Sequence, residues 1–406
     1  MNVRRSEFRD HWKDLVKVFL KLGAMSYGGP AIMGIMQAEV QEKRGWLSKE
    51  RFLEGLALVN MLPGPGATQL GIFIGYDRAG WRGGVLAGIC FILPAFFIML
   101  ALSLLYTAYG SLPVMRDAFY GLGPVVLGIF IVAVYRLGKA ALKGASQILI
   151  AITAVFMLAF TPLGIVALLL LAGCVGVMLY HSRAWGIEAA LTVLALFAIF
   201  HWGYPLIAGD ALYDHAVSTS QLTAPNLRDI GWFFFKVGAF TFGGGITMLA
   251  FLQEQVVNQL HWLTPQEFLD GLALGQLTPG PILMLAAYVG HKLIGVMGAI
   301  VGGFAIFLPS FIIMLSVLPV LTRFKHLLWV KAAMKGISAA VIGAISVSLL
   351  QMAPHAAPDA ITASLMILTV AGTLLWRIGP LPLMLGGGFI GAASRVNPLQ
   401  RLRDLV

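Results

Sequence analysis

An internal duplication constrains the fold of this chain more than any other feature. Residues 52–65 read FLEGLALVNMLPGP and residues 268–281 read FLDGLALGQLTPGP, so that nine of fourteen positions are identical. Outside this motif, matched residues keep their order and spacing: Glu39 and Glu254, Trp46 and Trp262, Pro94 and Pro309, Gly121 and Gly336. We therefore predict two homologous units, repeat 1 at residues 1–145 and repeat 2 at residues 226–358.

The composition places both repeats in a membrane. Of 406 residues, 59% are apolar and only 11% are charged, whereas a soluble domain is about 25% charged. This excludes a soluble enzyme and a nucleic-acid binder and predicts an all-α polytopic membrane protein. The net charge of +10 then reflects cytoplasmic loops rich in Lys and Arg.

Loop charge predicts that the two repeats have inverted topology. Loop 41–51 contains four Lys or Arg residues, and its counterpart at 255–267 contains none. Loop 136–146 contains three, and its counterpart near 351–361 again contains none. Because basic loops stay in the cytoplasm, matched loops should lie on opposite sides, as in many secondary transporters.

Each repeat should contain two broken or re-entrant helix hairpins that meet near the bilayer midplane. Apolar segments are interrupted by Gly and Pro, and the arms of about eleven residues are too short to cross a bilayer, which takes ~20 residues. We predict hairpins at 13–42, 52–77, 226–254 and 268–290, and full spans at 83–105, 117–136, 296–318 and 329–350. Further spans should occupy 146–207 and 359–406, and residues 208–225 should form an external linker. This count places the basic C-terminus outside, so either the last segment does not span or an earlier one is miscounted.

The four breaks together predict an anion site. Non-helical backbone at membrane depth needs a protein or water-filled surrounding, and each new half-helix presents free N–H groups and a positive dipole end. The candidate binding residues lie at or near the breaks: Lys21, Ser26, Tyr27, Gly28, Gly29, Pro30, Asn60, Pro63, Gly64, Pro65, Gly66, Thr68, Gln69, Lys236, Thr241, Phe242, Gly243, Gly244, Gly245, Gln276, Thr278, Pro279, Gly280 and Pro281. The alternatives are simple helix kinks or close helix contacts for the breaks, and lysines that reach toward an interface.

Few carboxylates are available for proton coupling. Glu39, Glu54, Glu254 and Asp270 are the candidates, with helix capping in water as the alternative role. No metal-ligand spacing, nucleotide-binding motif or hydrolase motif occurs in the sequence, so we expect no cofactor, no bound metal and no catalytic residues.

These motifs give the chain a specific family resemblance. The sequence resembles the chromate ion transporter family in its long, two-domain form, over essentially the whole chain. The resemblance is carried by Ser26–Pro30, Arg44–Ser48, Pro63–Pro65, Arg78–Gly83 and Phe91–Ala95 in the first half, and by Phe242–Gly245, Trp262–Thr264, Pro279–Pro281 and Leu308–Pro309 in the second. The chain departs from the family pattern at Met33, Gly66 and Gln69.

The resemblance implies chromate export across the bacterial inner membrane and chromate resistance, with sulfate as a related or competing ligand. Moving a dianion out of a negative-inside cell releases about 4.6 kcal/mol per 100 mV, so the membrane potential alone would suffice. Proton antiport is the other possible driving force, and sulfate or another small anion is the alternative cargo. We expect the anion and membrane lipid as partners and no nucleic acid, and the oligomeric state stays open, with a homodimer as one common arrangement.

Overall fold

The computed structural model describes residues 3–25, 31–161, 164–198, 225–241, 245, 247–320 and 328–394. These residues fold into α-helices with short π and 3-10 segments, and no β-strand occurs among them. The predicted all-α fold is therefore confirmed. The predicted external linker lies outside the described residues apart from Pro225, as does the basic C-terminus.

The α-helices are numbered α1 to α16 in chain order. In the first half they are α1 (Val3–Met25), α2 (Ala31–Gln37), α3 (Lys49–Val59), α4 (Gly66–Tyr109), α5 (Pro113–Ala141), α6 (Ala145–Phe160), α7 (Ile165–Tyr180) and α8 (Arg183–Ala198). In the second half they are α9 (Leu227–Ala239), α10 (Thr247–Leu252), α11 (Pro265–Leu277), α12 (Leu285–Ala305), α13 (Leu308–Val317), α14 (Leu328–Ala356), α15 (Ala360–Leu375) and α16 (Pro380–Ser394).

Among the described residues, four helical runs are long and apolar enough to cross a membrane: Gly66–Tyr109, Pro113–Ala141, Ile282–Val317 and Leu328–Ala356. Each coincides with one of the predicted spans to within one residue at its end or contains it. The helices α6, α7, α15 and α16 are also apolar but have only 15 or 16 residues. At 1.5 Å per residue they measure about 24 Å, less than the ~30 Å thickness of the hydrocarbon core.

Matched kinks lie between each predicted hairpin (52–77 and 268–290) and the predicted span that follows it. In α4 the kink lies at Ala79 and Gly80, where Gly80 has φ 66° and ψ −161°. In α12 it lies at Ile294 and Gly295, where Gly295 has φ 68° and ψ −151°. These positive φ values suit glycine, because a Cβ would clash with the backbone there.

The two halves exchange their packing partners. Helix α5 of the first half packs against α15 and α16, and helix α14 of the second half packs against α6 and α7. Glycines allow the close approach: a Cβ at Gly121 would lie 2.1 Å from the Gly387 carbonyl oxygen, and one at Gly336 would lie 2.0 Å from that of Ala172. Small residues at helix crossings are the usual device for such contacts in membranes.

Candidate functional site: a buried break between helices

The helix break in the first half lies between α3, which ends at Val59, and α4, which begins at Gly66. Gly64 has φ +123°, which glycine adopts without strain. Pro65 precedes α4 as its N-cap in an extended conformation. The first N–H groups of α4, which have no partner within the helix, therefore lie at the break.

The break in the second half has nearly the same backbone. Gly280 has φ +125°, and Pro281 precedes a 3-10 turn at Ile282–Met284 that leads into α12. The two breaks thus share their glycine geometry but differ in how the next helix begins.

Segments from both halves of the chain meet at Gly64. The Gly64 N–H donates to the carbonyl oxygen of Thr241 at 2.5 Å, and the Gln69 side-chain amide donates to the carbonyl oxygen of Pro63 at 2.5 Å. A Cβ placed on Gly64 would lie 2.4 Å from both Gln69 Nε2 and Ser310 Oγ. The break is therefore enclosed by the start of α4, the end of α9 and the start of α13.

Three buried polar atoms near this break have no hydrogen-bond partner among the described residues. They are Thr68 Oγ1, Gln69 Oε1 and Ser310 Oγ, and all three side chains are fully buried. Leaving such a group unsatisfied costs about 1–3 kcal/mol, so a cluster of them indicates a ligand site. The two hydroxyl groups can donate to an anion, whereas Gln69 Oε1 needs a donor such as water.

The matched region around Gly280 is less polar. A Cβ on Gly280 would lie 2.5 Å from the Cβ of Ala95, which occupies the position that matches Ser310. Thr278 is buried, and its hydroxyl bonds to the carbonyl oxygen of Leu274 at 2.8 Å and lies 3.5 Å from Met99 Sδ. Among the described residues, both buried hydroxyl groups without a hydrogen-bond partner therefore lie at the first break.

A cavity of about 510 Å³ reaches Asn60 and Met61 at the end of α3. Its walls include Lys143 near the start of α6 and Lys331 and Lys335 in the first turns of α14. We call this cavity the lysine vestibule. Loop charge predicts that it opens to the cytoplasm.

A second cavity of about 420 Å³ lies where α4, α5, α11 and α14 meet, at the side that loop charge predicts to be external. Arg116 and His355 line it together with the carboxylates of Glu267 and Asp270. We call it the outer cavity.

A hydrogen bond joins the two halves at the outer cavity. Tyr106 of α4 donates to Asp270 Oδ2 of α11 at 2.6 Å, and Gln266 donates to Asp270 Oδ1 at 2.9 Å. Tyr288 donates to the carbonyl oxygen of Glu267 at 2.9 Å, and Lys292 forms a 2.9 Å ion pair with the Glu267 carboxylate. These contacts fix α11 against its neighbours.

The matched helices α3 and α11 differ in burial although their sequences are nearly the same. Leu53 of α3 is 48% exposed, whereas the matched Leu269 of α11 is 1% exposed. Helix α3 packs mainly against α4, while α11 also packs against α5 and α14. Among the described residues, α11 is thus enclosed by more neighbouring helices than α3.

The proton-coupling candidates in the matched pair Glu39 and Glu254 have different partners. Glu39 forms ion pairs with Lys21, Lys43 and Arg44 at 3.8, 3.7 and 2.8 Å. In the second half, the amides of Asn258 and Gln259 donate to Glu254, each at 2.9 Å. Glu39 is therefore surrounded by cations, whereas Glu254 is bonded to neutral amides.

Glu54 and Asp270 occupy matched positions with different surroundings. Glu54 accepts from Arg51 at 2.9 Å, and Arg51 also forms a 2.7 Å ion pair with Asp77. The position matched to Arg51 holds Glu267, and the one matched to Asp77 holds Lys292, so the ion pair recurs with its charges exchanged. Asp270 itself is buried and bonded to neutral partners.

The remaining site candidates fall into three groups. Ser26, Tyr27, Gly28, Gly29 and Pro30, together with Phe242, Gly243 and Gly244, lie outside the described residues. Lys21 and Lys236 are exposed, with Lys236 Nζ 6.0 Å from the Trp232 ring. Gln276 and Gly245 are half-buried. The sequence-based list missed Ser310, Tyr106 and the three vestibule lysines, because their role depends on contacts distant in sequence.

Apolar helices broken at a buried polar site, with a cavity that leads to the break, define a multi-pass membrane transport protein. The sequence profile described as "Chromate transporter" matches residues 13–177 and again residues 228–392. The chain belongs to the chromate transporter family, as the sequence resemblance indicated.

Relatives of comparable length support this assignment. The chain is 34% identical to a chromate transport protein of Cupriavidus metallidurans over 92% of this chain and 91% of that protein. It is 33% identical to a probable chromate transport protein of Synechococcus elongatus, covering 92% and 93%, and 31% identical to a chromate transport protein of Pseudomonas aeruginosa, covering 82% and 79%. No solved structure matches the chain.

Proposed function

We propose that the chain exports chromate from the cytoplasm across the inner membrane, driven by the membrane potential. The observation that carries this proposal is the group of buried, unpartnered hydroxyls of Thr68 and Ser310 around the break at Gly64. Two hydroxyl donors and the positive end of α4 suit an anion with several oxygen acceptors. The relatives are named as chromate transport proteins, and we therefore propose chromate as the anion.

Transport by alternating access is supported by the difference between α3 and α11. The same motif is packed in one half and partly exposed in the other, as expected for two repeats that open in turn. In this state the lysine vestibule reaches Asn60 and Met61, shortly before the break at Gly64, and the Tyr106–Asp270 hydrogen bond joins the two halves at the opposite side.

Membrane potential is favoured over proton antiport by the partners of the carboxylates. Glu39 is neutralised by three cations, and Glu54 is paired with Arg51. A dianion leaving a negative-inside cell gains about 4.6 kcal/mol per 100 mV without a coupled ion. In the proton-coupled alternative, Asp270 is the preferred carrier, because it is buried and bonded to neutral side chains.

Sulfate is the alternative cargo on the same site. Chromate and sulfate are both tetrahedral dianions with oxygen acceptors. Hydroxyl donors can therefore form the same hydrogen bonds with either anion. We therefore propose that sulfate competes with chromate.

We expect the Ser310→Ala substitution to raise the KM for chromate by about tenfold or more. A hydrogen bond to a charged group contributes about 1.5–3 kcal/mol, and alanine removes the donor without adding volume. The measurement is the initial rate of radiolabelled chromate uptake into everted membrane vesicles.

Ser346→Ala is the matched control, because the Ser346 hydroxyl bonds to the Ile342 carbonyl oxygen within its own helix. An unchanged KM in the Ser310→Ala variant, with both variants present in the membrane at equal levels, would contradict the proposed site.

A further inference from the structure

The lysine vestibule concentrates positive charge at the approach to the break. Lys143, Lys331 and Lys335 line one cavity, and none of the described residues that line it carries a carboxylate. Lys335 Nζ lies 4.7 Å from the Tyr180 ring centroid, which holds that ammonium group in place. The cavity continues to Asn60 and Met61, which directly precede Leu62 and the Pro63–Pro65 break.

Two helix starts add to this positive potential. Lys143 precedes α6, where the backbone N–H groups of Lys143 and Gly144 donate to Gln147 Oε1 at 2.9 Å each. Lys331 lies in the first turn of α14, a helix of 29 residues, and Lys335 follows one turn later. Both helices therefore begin near the lysines that line the cavity, and the positive end of a helix dipole adds to a positive potential nearby.

The matched cavity on the other side lacks this charge. The duplication pairs Lys331 with Arg116, Lys335 with Tyr120 and Lys143 with Pro358, and these three counterparts all line the outer cavity. Glu267 and Asp270 line the outer cavity as well. The same architectural position is thus strongly cationic on one side and contains two carboxylates beside one arginine on the other.

We propose that the lysine vestibule is a first binding site for doubly charged oxyanions, which captures the anion before it reaches the break and speeds loading from the vestibule side. This inference rests on the proposed function and names the part of the chain that selects the side of loading. A cleft of one charge sign raises the local concentration of counter-ions, and on-rates, by about 10- to 1000-fold at low salt. The outer cavity offers no comparable cluster of lysines, because Arg116 there lies beside the carboxylates of Glu267 and Asp270, so it should hold a dianion less tightly.

The test compares three lysine-to-glutamine substitutions with a matched control. We expect the triple variant Lys143→Gln, Lys331→Gln, Lys335→Gln to raise the KM for chromate about tenfold at low ionic strength in everted vesicles, with the maximal rate unchanged. At about 0.5 M salt the difference should shrink below about twofold, because added salt screens exposed charges. The single variant Lys139→Gln changes an exposed lysine on the last turn of α5 that does not line the cavity, and its KM should stay unchanged.

A charge-preserving variant keeps the test independent of folding. The triple variant Lys143→Arg, Lys331→Arg, Lys335→Arg should retain the KM of the unaltered protein. Equal KM values for the glutamine triple variant and the Lys139→Gln control would overturn the inference.

The doubly charged oxyanion could also be a lipid phosphate group. We therefore repeat the comparison with purified protein reconstituted in phosphatidylcholine alone and with added anionic lipid. An effect that persists in phosphatidylcholine supports capture of the free anion, and an effect seen only with anionic lipid would overturn it.

Failure of the proposed function has a different signature. If the unaltered protein takes up no chromate, the proposed function is wrong, and equilibrium binding of radiolabelled chromate to the purified protein at low salt then decides about the vestibule. Weaker binding by the glutamine triple variant than by Lys139→Gln supports the anion site, and equal binding contradicts it.

Discussion

Replacement of Gly64 by valine is expected to abolish chromate transport, with a fall of at least about 100-fold in the rate. A non-glycine residue in the left-handed region costs about 1–2 kcal/mol, and overpacking adds about 1–3 kcal/mol. The new side chain would occupy the space of Gln69 Nε2 and Ser310 Oγ, each only 2.4 Å from its Cβ. Since this space is the proposed anion site, the substitution should displace both donors and block binding. The measurement is chromate uptake into everted vesicles.

Gly45→Val provides the matched control for this substitution. Gly45 also has a positive φ, +58°, but no neighbouring atom lies within 4 Å of a Cβ placed there. The Gly45→Val variant should be destabilised only by backbone strain and should keep most of its chromate transport activity. Normal transport by the Gly64→Val variant at equal membrane abundance would show that the break at Gly64 is not the site.

A cysteine at position 57 is expected to react with a water-soluble thiol reagent at least about 100-fold faster than a cysteine at position 273. Ala57 and Ala273 occupy the same place in the duplicated motif, but Ala57 is exposed and Ala273 is fully buried. Ala57 also lies on the same helical face as Asn60, which lines the lysine vestibule. The experiment measures labelling rates of Ala57→Cys and Ala273→Cys in everted vesicles.

The two native cysteines are buried and are replaced by alanine in both variants. Chromate should slow the labelling at position 57, because the anion occupies the vestibule and promotes closure. Equal labelling rates at the two positions would contradict a protein that is open on one side only.

The sequence predicted the class of fold because the signals were local. Low charge and long apolar segments specified a helical membrane protein, and the helix does break at Pro63–Pro65 and Pro279–Pro281 with glycine in the left-handed region. The inverted orientation of the repeats stays a prediction from loop charge. The matched kinks at Gly80 and Gly295 are in keeping with the duplication.

The composition of the site could not be read from the sequence in the same way. Ser310 reaches Gly64 across nearly 250 positions of chain, and the Tyr106–Asp270 hydrogen bond joins residues 164 positions apart. The helices α3 and α11 differ in burial although their sequence motifs are nearly identical. The motifs alone therefore could not predict which of the two helices is more exposed. The asymmetry between the two cavities becomes visible only once the duplicated positions are compared in space.

The proposed export of chromate depends on electrogenic movement of the oxyanion through the break at Gly64. The most direct measurement is uptake of radiolabelled chromate into everted membrane vesicles under an imposed inside-positive potential, without a pH gradient. We predict rapid uptake that sulfate inhibits and that the Gly64→Val variant lacks. Uptake that requires a pH gradient and ignores the potential would contradict the account and would identify Asp270 as the residue to test next.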